Sequence, residues 1–246
     1  MVATSSPRLP DTTKMLLASG ISVDERDAIQ VASEIQWGGN SLVFGYEDAQ
    51  VAVSLMPMPI PAKELEGPCA TAWWWPDAVR QLETHRYHFL LTLIGGTVEP
   101  VERRIVLTRL TSAVVRHTDA VGVYWGEGTL VHEPAAFVRE AQRIDAGHIP
   151  GHLWIDVRVE RNQGGTHRGF TTGMEPLGFP DIEVQKSERD PEELMAFIAD
   201  TAAYIVNNRL HIQDGETLGR SADEQYEVRH GRSMFDRSRV MRILMA

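Results

Sequence analysis

Arg86-Tyr87-His88-Phe89-Leu90-Leu91-Thr92-Leu93-Ile94 decides the fold. In an extended chain side chains alternate, so Tyr87, Phe89, Leu91 and Leu93 share one face and His88, Leu90, Thr92 and Ile94 the other. Both sets are apolar enough for a central strand covered on both sides. Gly95-Gly96 ends it. Glu99 to His117 follows as a helix, with Val101, Ile105, Leu107, Leu110, Ala113 and Val114 on its inner side. The strand needs two covers, and the surrounding half offers helices for one. The expectation is an α+β fold: antiparallel or mixed sheets with helices mainly on one face, arranged as two ferredoxin-like halves packed together. A homodimer is the other way to cover the second face, and the Trp73 to Trp75 segment is expected near that junction.

Upstream, Met1 to Thr13 is rich in Ser, Thr and Pro and reads as a flexible tail. Asp24 can cap a helix running to Gln36, with Ala28, Ile29, Val31, Ala32 and Ile35 as its apolar stripe. Ser41–Tyr46 and Gln50–Met56 form a hairpin, and Pro57, Pro59 and Pro61 then exclude regular structure until Ala62. From Ala62 to His85 the chain reads as broken helix. Gly67-Pro68 divides it, Trp73-Trp74-Trp75 lies on the second piece, and Pro76 restarts a helix at its tolerated first position.

Downstream, Ala120 to Trp125 is a strand, Gly126-Glu127-Gly128 a turn, and Pro134 opens a helix to about Arg143. Asp145 to Gly151 reads as a linker. Domain organisation follows: a tail over 1–13, an N-terminal α+β half over 14–146 and a C-terminal α+β half over 152–246. In the second half, strands are expected at His152–Arg161, Thr166–Thr172, Ile182–Val184, Leu210–Ile212, Gln225–Arg229 and Val240–Met245. Asp190-Pro191-Glu192-Glu193 starts the clearest helix, whose residues Leu194, Phe197, Ile198, Thr201, Ala202 and Ile205 keep the helical period.

The 246 residues carry 24 Lys+Arg against 34 Asp+Glu, a net charge of -10, which opposes nucleic-acid binding. Apolar runs are too short for a membrane span, and Met1 to Asp11 lacks the basic and long apolar regions expected of a secretory signal. Cys69 is the single cysteine, which excludes an intrachain disulfide and points to a reducing, cytoplasmic setting.

Chemistry-bearing residues are few. Three consecutive tryptophans on a helix point about 100° apart, so at most two reach the core and at least one faces a surface or partner. His85 and His88 have metal-ligand spacing for a helix, but on a strand residues three apart face opposite sides. Pro150-Gly151 breaks any helix joining His148 to His152, so no metal is expected there either. Asp214-Gly215-Glu216 lacks the ligand alternation of a calcium loop, and the turn glycines lack the context of a phosphate cradle. Cys69 reads as core rather than nucleophile. No cofactor is expected.

Two ordered sets of motifs resemble a known family. Ala72-Trp73-Trp74-Trp75-Pro76-Asp77-Ala78, His85-Arg86-Tyr87-His88, Leu107-Thr108-Arg109-Leu110-Thr111 and Val123-Tyr124-Trp125 form the first set. Thr172-Gly173-Met174, Gly178, Asp181-Ile182-Glu183-Val184 and Asp214-Gly215-Glu216-Thr217-Leu218-Gly219 form the second. Together they resemble the bacterial domain-of-unknown-function family 4261 from about Val51 onward. The resemblance implies a bacterial intracellular protein and brings no catalytic residues with it.

The expected function is therefore a non-catalytic binding or protein-interaction module. Its site for a protein partner or small ligand would use Trp73, Trp74, Trp75, His85, His88, Tyr124 and Trp125. The alternative is a small hydrolase or transferase with His88 as acid/base, oriented by Glu83 or Glu183.

Overall fold

The computed structural model describes residues 1–20, 37–145, 148–221 and 224–245. The chain divides into two compact units, Met1–Leu153 and Trp154–Ala246. The helix expected over Asp24–Gln36 lies outside the described residues.

The first unit runs β1 (Val2–Thr4), α1 (Thr12–Ser19), β2 (Ser41–Tyr46), β3 (Ala49–Met56), α2 (Ala62–Thr71), α3 (Ala78–Leu82), β4 (Tyr87–Ile94), α4 (Pro100–Arg116), β5 (Ala120–Trp125), β6 (Leu130–His132) and α5 (Pro134–Ala141). Its sheet has the order β2-β3-β4-β1-β5-β6, with every neighbouring pair antiparallel. The flexible tail is a misreading: Val2, Ala3 and Thr4 are fully buried between β4 and β5. Val2 lies opposite Phe89 on one side and Val123 on the other. A strand of three residues leaves no periodic pattern, and the Ser, Thr and Pro beyond it dominate the composition. Asp11, also assigned to the tail, caps α1 by accepting the Lys14 N–H at 2.9 Å.

Register sorts the sheet into two faces. Val2, Phe89, Val123 and His132 lie on one, and Ala3, His88, Gly122, Tyr124 and Val131 on the other. The layer of α1, α4 and α5 covers the first face. On the second, Ala3, Tyr124 and Val131 meet Leu65 of α2, Trp75, and Ala78 and Leu82 of α3. Helices therefore cover both faces, where the sequence suggested mainly one. Gly122 makes the close approach possible, since a Cβ there would stand 2.5 Å from Leu82 Cδ2. The α2–α3 cover stops short of the outer end of β4. Leu90 keeps 38% and Ile94 58% of its surface exposed, so the demand for a full second cover over this strand was too strong.

The second unit runs β7 (Asp156–Arg161), β8 (His167–Thr172), β9 (Asp181–Ser187), α6 (Pro191–Asn208), β10 (Thr217–Ser221), β11 (Glu224–Arg232) and β12 (Arg239–Leu244). Its sheet order is β10-β11-β12-β9-β8-β7, antiparallel except for the parallel pair β12–β9. Asp190 caps α6 by accepting the Glu192 N–H at 3.1 Å, Pro191 opens it, and Arg209 in the left-handed region closes it. This helix lies over β7, β8 and β9. The strand expected at Leu210–Ile212 is irregular chain, and the edge strand forms later, at Thr217–Ser221. Three apolar-polar residues resemble a strand, but the turn after α6 has to be completed before the chain can pair.

Neither half is ferredoxin-like. A split β-α-β unit depends on helical crossovers. Here hairpin turns pair β2 with β3 and β5 with β6, and in the second unit α6 lies between two three-stranded meanders. No described helix is long and apolar enough to cross a membrane.

Candidate functional site

The three tryptophans separate at the connection between α2 and α3. Gly67-Pro68 does not divide the preceding helix, because α2 continues through Pro68 to Thr71. The chain then turns: Trp73 N–H donates to Thr71 O, Trp75 N–H to Ala72 O and Ala78 N–H to Trp75 O, at 2.9, 2.9 and 3.0 Å. Pro76 pushes Trp75 out of the helical region, so the cluster is a turn rather than the helix expected, and α3 starts only at Ala78.

Each indole meets a different environment. Trp75 is 4% exposed and fills the second face of the sheet beside Ala3, Leu82 and Tyr124. Its Nε1–H has no hydrogen-bond partner among the described residues. Trp74, 39% exposed, wraps the sheet's edge strand, β6. Its Nε1–H donates to Val131 O at 3.1 Å, and its ring stacks on His132 at 6.5 Å. Trp73 is 73% exposed and touches Trp74 edge-on at 5.7 Å. One tryptophan thus packs the core, one covers an edge and one stands in water.

The remaining candidates for the binding site, Tyr124, Trp125, His85 and His88, are buried. Tyr124 belongs to the core under α2 and α3, and burial pushes its hydroxyl pKa up. Trp125 lies on the opposite face, stacked on Phe137 at 6.2 Å. Both ring nitrogens of His85 are engaged: Nε2 accepts the Ile60 N–H at 2.8 Å, and Nδ1 faces Leu82 O. Nε2 must therefore be unprotonated and its lone pair is already used. His88 bonds Met58 O through Nδ1 at 2.9 Å, and burial holds its pKa below the usual range. Glu83 is exposed at the end of α3, and no carboxylate among the described residues hydrogen-bonds His88. Glu183 lies in the second unit, where its Oε1 accepts the Met234 N–H at 3.2 Å.

Between α2 and α3 runs an apolar groove of about 780 Å³. Ile60, Leu65 and Leu82 form its floor, Pro59 and Pro61 one end, and half-exposed Val79 the α3 wall. Cys69 also lines it, and burial raises the thiol pKa, which suits packing and not nucleophilic attack. The sequence shows this wall as the run Pro57 to Pro61. A run of prolines breaks helix and strand, but it also makes a rigid apolar rim, and that second meaning was missed. No group of three metal-ligating side chains occurs among the described residues.

A larger concavity, about 860 Å³, lies in the second unit between α6 and β10. Phe197, Thr201 and Tyr204 line one side and Leu218 and Gln225 the other, while an Arg220–Asp200 ion pair of 2.7 Å lies within it. It lacks a cluster of exposed aromatic side chains.

The sequence model of a family described as a domain of unknown function (DUF4261) matches residues 170–244. The match begins within β8 and ends with β12, so it contains the α6–β10 concavity and none of the aromatic site. The motifs before residue 170 that suggested the resemblance lie outside it. No curated protein and no solved structure matches the chain.

Proposed function

We propose that this chain is a non-catalytic protein-interaction module, holding its partner on the α2–turn–α3 layer with Trp73 and Trp74 as aromatic anchors. The observation that carries the reading is the contrast within one turn: Trp75 is buried, while Trp73 keeps 73% and Trp74 39% of its surface in water. Exposed tryptophan is enriched at interaction hot spots, and a pair of them in contact is a large apolar patch to leave in water. The nearby imidazoles are committed to backbone partners, which supports binding over acid–base chemistry. A cytoplasmic setting is part of the proposal and rests on the lone Cys69.

Copurification of the intact chain from a native lysate should yield a stoichiometric protein. Trp73→Ala and Trp74→Ala should each weaken that complex by roughly 2 kcal/mol, about thirtyfold in Kd. A protein that purifies without a partner, or a partner held equally well by the Trp73→Ala and Trp74→Ala forms, would overturn the assignment.

A further inference from the structure

His132 ends the edge strand β6 and lies beneath Trp74. Its Nε2 is 3.1 Å from Leu153 O, a contact that requires the proton on Nε2 and leaves Nδ1 bare. Trp74 covers one side of the ring, at 6.5 Å, and Phe137 of α5 another, at 5.6 Å. We infer that Trp74 and His132 form a clasp over the sheet edge, and that the clasp opens when His132 takes up a second proton.

The charged surroundings give the direction. Across β5 the ring meets Val123, and the Trp turn and α5 contribute Trp74 and Phe137, all without charge. Among the described residues, the ionisable neighbour that acts on it is His152, which opposes a positive charge. The nearest carboxylate of that cluster, Glu140 of α5, is already shared. Its Oε2 lies 3.5 Å from His152 Nε2, 4.0 Å from His148 Nε2 and 3.2 Å from Arg143 Nη1. A protonated His132 would therefore be a desolvated cation, without a counter-ion among the described residues and next to a second imidazole. The indole face offers some cation–π attraction. Burial outweighs it and holds the His132 pKa at about 4.

Once the ring reaches water it titrates near the ordinary histidine value of about 6.5. Between that value and about 4, the open population should rise about tenfold per pH unit, roughly 300-fold in all. Opening releases two things together: the Trp74 indole and the Val131 carbonyl that it caps. Because Trp74 is one of the two proposed anchors, a pH-dependent binding surface follows, and only that consequence rests on the proposed function.

The test uses the intact chain. Hydrogen exchange of the Trp74 indole N–H, assigned by its loss in Trp74→Phe, is followed from about pH 7 to about pH 4, with β4 amides as the monitor of global unfolding. The expected result is protection that falls about tenfold per unit below about pH 6.5 while β4 stays protected, and a flat profile in His132→Gln. Constant protection, the same slope in His132→Gln, or a slope shared with β4 would each overturn the clasp. Should His132→Gln not fold, the ring resonances of His132 decide. Titration near 6.5 with Trp74 unmoved refutes the proposal, and titration near 4 with Trp74 moving in step supports it. A clasp that titrates in a protein without any partner would leave this inference standing and remove the proposed function.

Discussion

Both units build a six-stranded sheet from two smaller antiparallel groups, but they join those groups differently. In the second unit the meanders β7-β8-β9 and β10-β11-β12 meet directly, through the parallel pair β9–β12, after α6 has carried the chain across. In the first unit β2-β3-β4 and β5-β6 never touch as strands. Three residues from the far end of the chain, Val2, Ala3 and Thr4, are inserted between them. A joint made by a crossover helix shows in sequence because the helix has a period and caps. A joint made by three residues shows nothing, although every backbone group in it is buried and must be paired.

The comparison can be broken at the joints, where the largest effects are expected. Ala3→Asp places an unpaired carboxylate between β4 and β5, under Trp75 and Leu82. It should cost more than about 3 kcal/mol and abolish amide protection from β2 to β6 in hydrogen exchange. Ile182→Asp, at the parallel joint of the second sheet, should do the same to β7–β12. A tolerated Ala3→Asp would show that the two strand groups of the first unit stand without their link.

Trp75→Ala should rank next, at about 3–5 kcal/mol in denaturant melts, because it empties the space under α2 and α3. Trp73→Ala, two residues away, should change stability by less than about 0.5 kcal/mol. Equal losses would mean that exposed Trp73 is structural after all.

The two units should also differ in their response to acid. The folded-state pKa of His132 is depressed to about 4, below its unfolded value. The unfolded chain therefore binds the proton first, and stability is lost as pH falls from about 6.5 to about 4, by up to about 3 kcal/mol. Asp156 and Asp181 of the second unit are shifted the other way. Burial raises both pKa values against their hydrogen bonds to Arg158 and Thr171. Their folded forms take up protons first, so they contribute stability as pH falls. Melting temperatures against pH should flatten in His132→Gln and steepen in Asp181→Asn.

The smallest contrast concerns two glycines. A Cβ at Gly122 would meet Leu82 Cδ2 at 2.5 Å, and one at Gly169 would meet Ile198 Cδ1 at 2.4 Å. Each lets a helix approach a strand, and Gly→Ala at either should cost about 1–3 kcal/mol. Matching losses would show that both units use the same device despite their different joints.

How much of this was legible follows from the length of each signal. The β2–β3 hairpin, β4, α4 and α6 have apolar patterns long enough to show their period, and all form where the residues place them. β1 is too short for a period, and the Trp73–Trp75 turn imitates helix because good helical sequence lies on both sides of it. The site was partly legible. Three adjacent tryptophans did signal that one must leave the core, but their division into face, edge and solvent depends on Pro76 and on where β6 falls in the sheet. His132 attracted no notice, because a histidine in a three-residue strand becomes unusual only when Trp74 closes over it from 58 positions upstream in the fold's opposite layer.

The placement of β1 has a consequence for synthesis. Val2 to Thr4 leave the ribosome well before their partners, Tyr87–Phe89 and Ala120–Val123. Joining Val2 to Phe89 closes a loop whose entropic cost is about 3 kcal/mol above that of a tight hairpin. The β2–β3–β4 group can assemble while this first segment is still unpaired, with β4 left as an open edge. Folding of the unit should therefore end on its beginning. Until β5 arrives, a nascent chain carries an exposed ladder that chaperones or neighbouring chains can occupy, and the opening residues act as the closing step of the sheet.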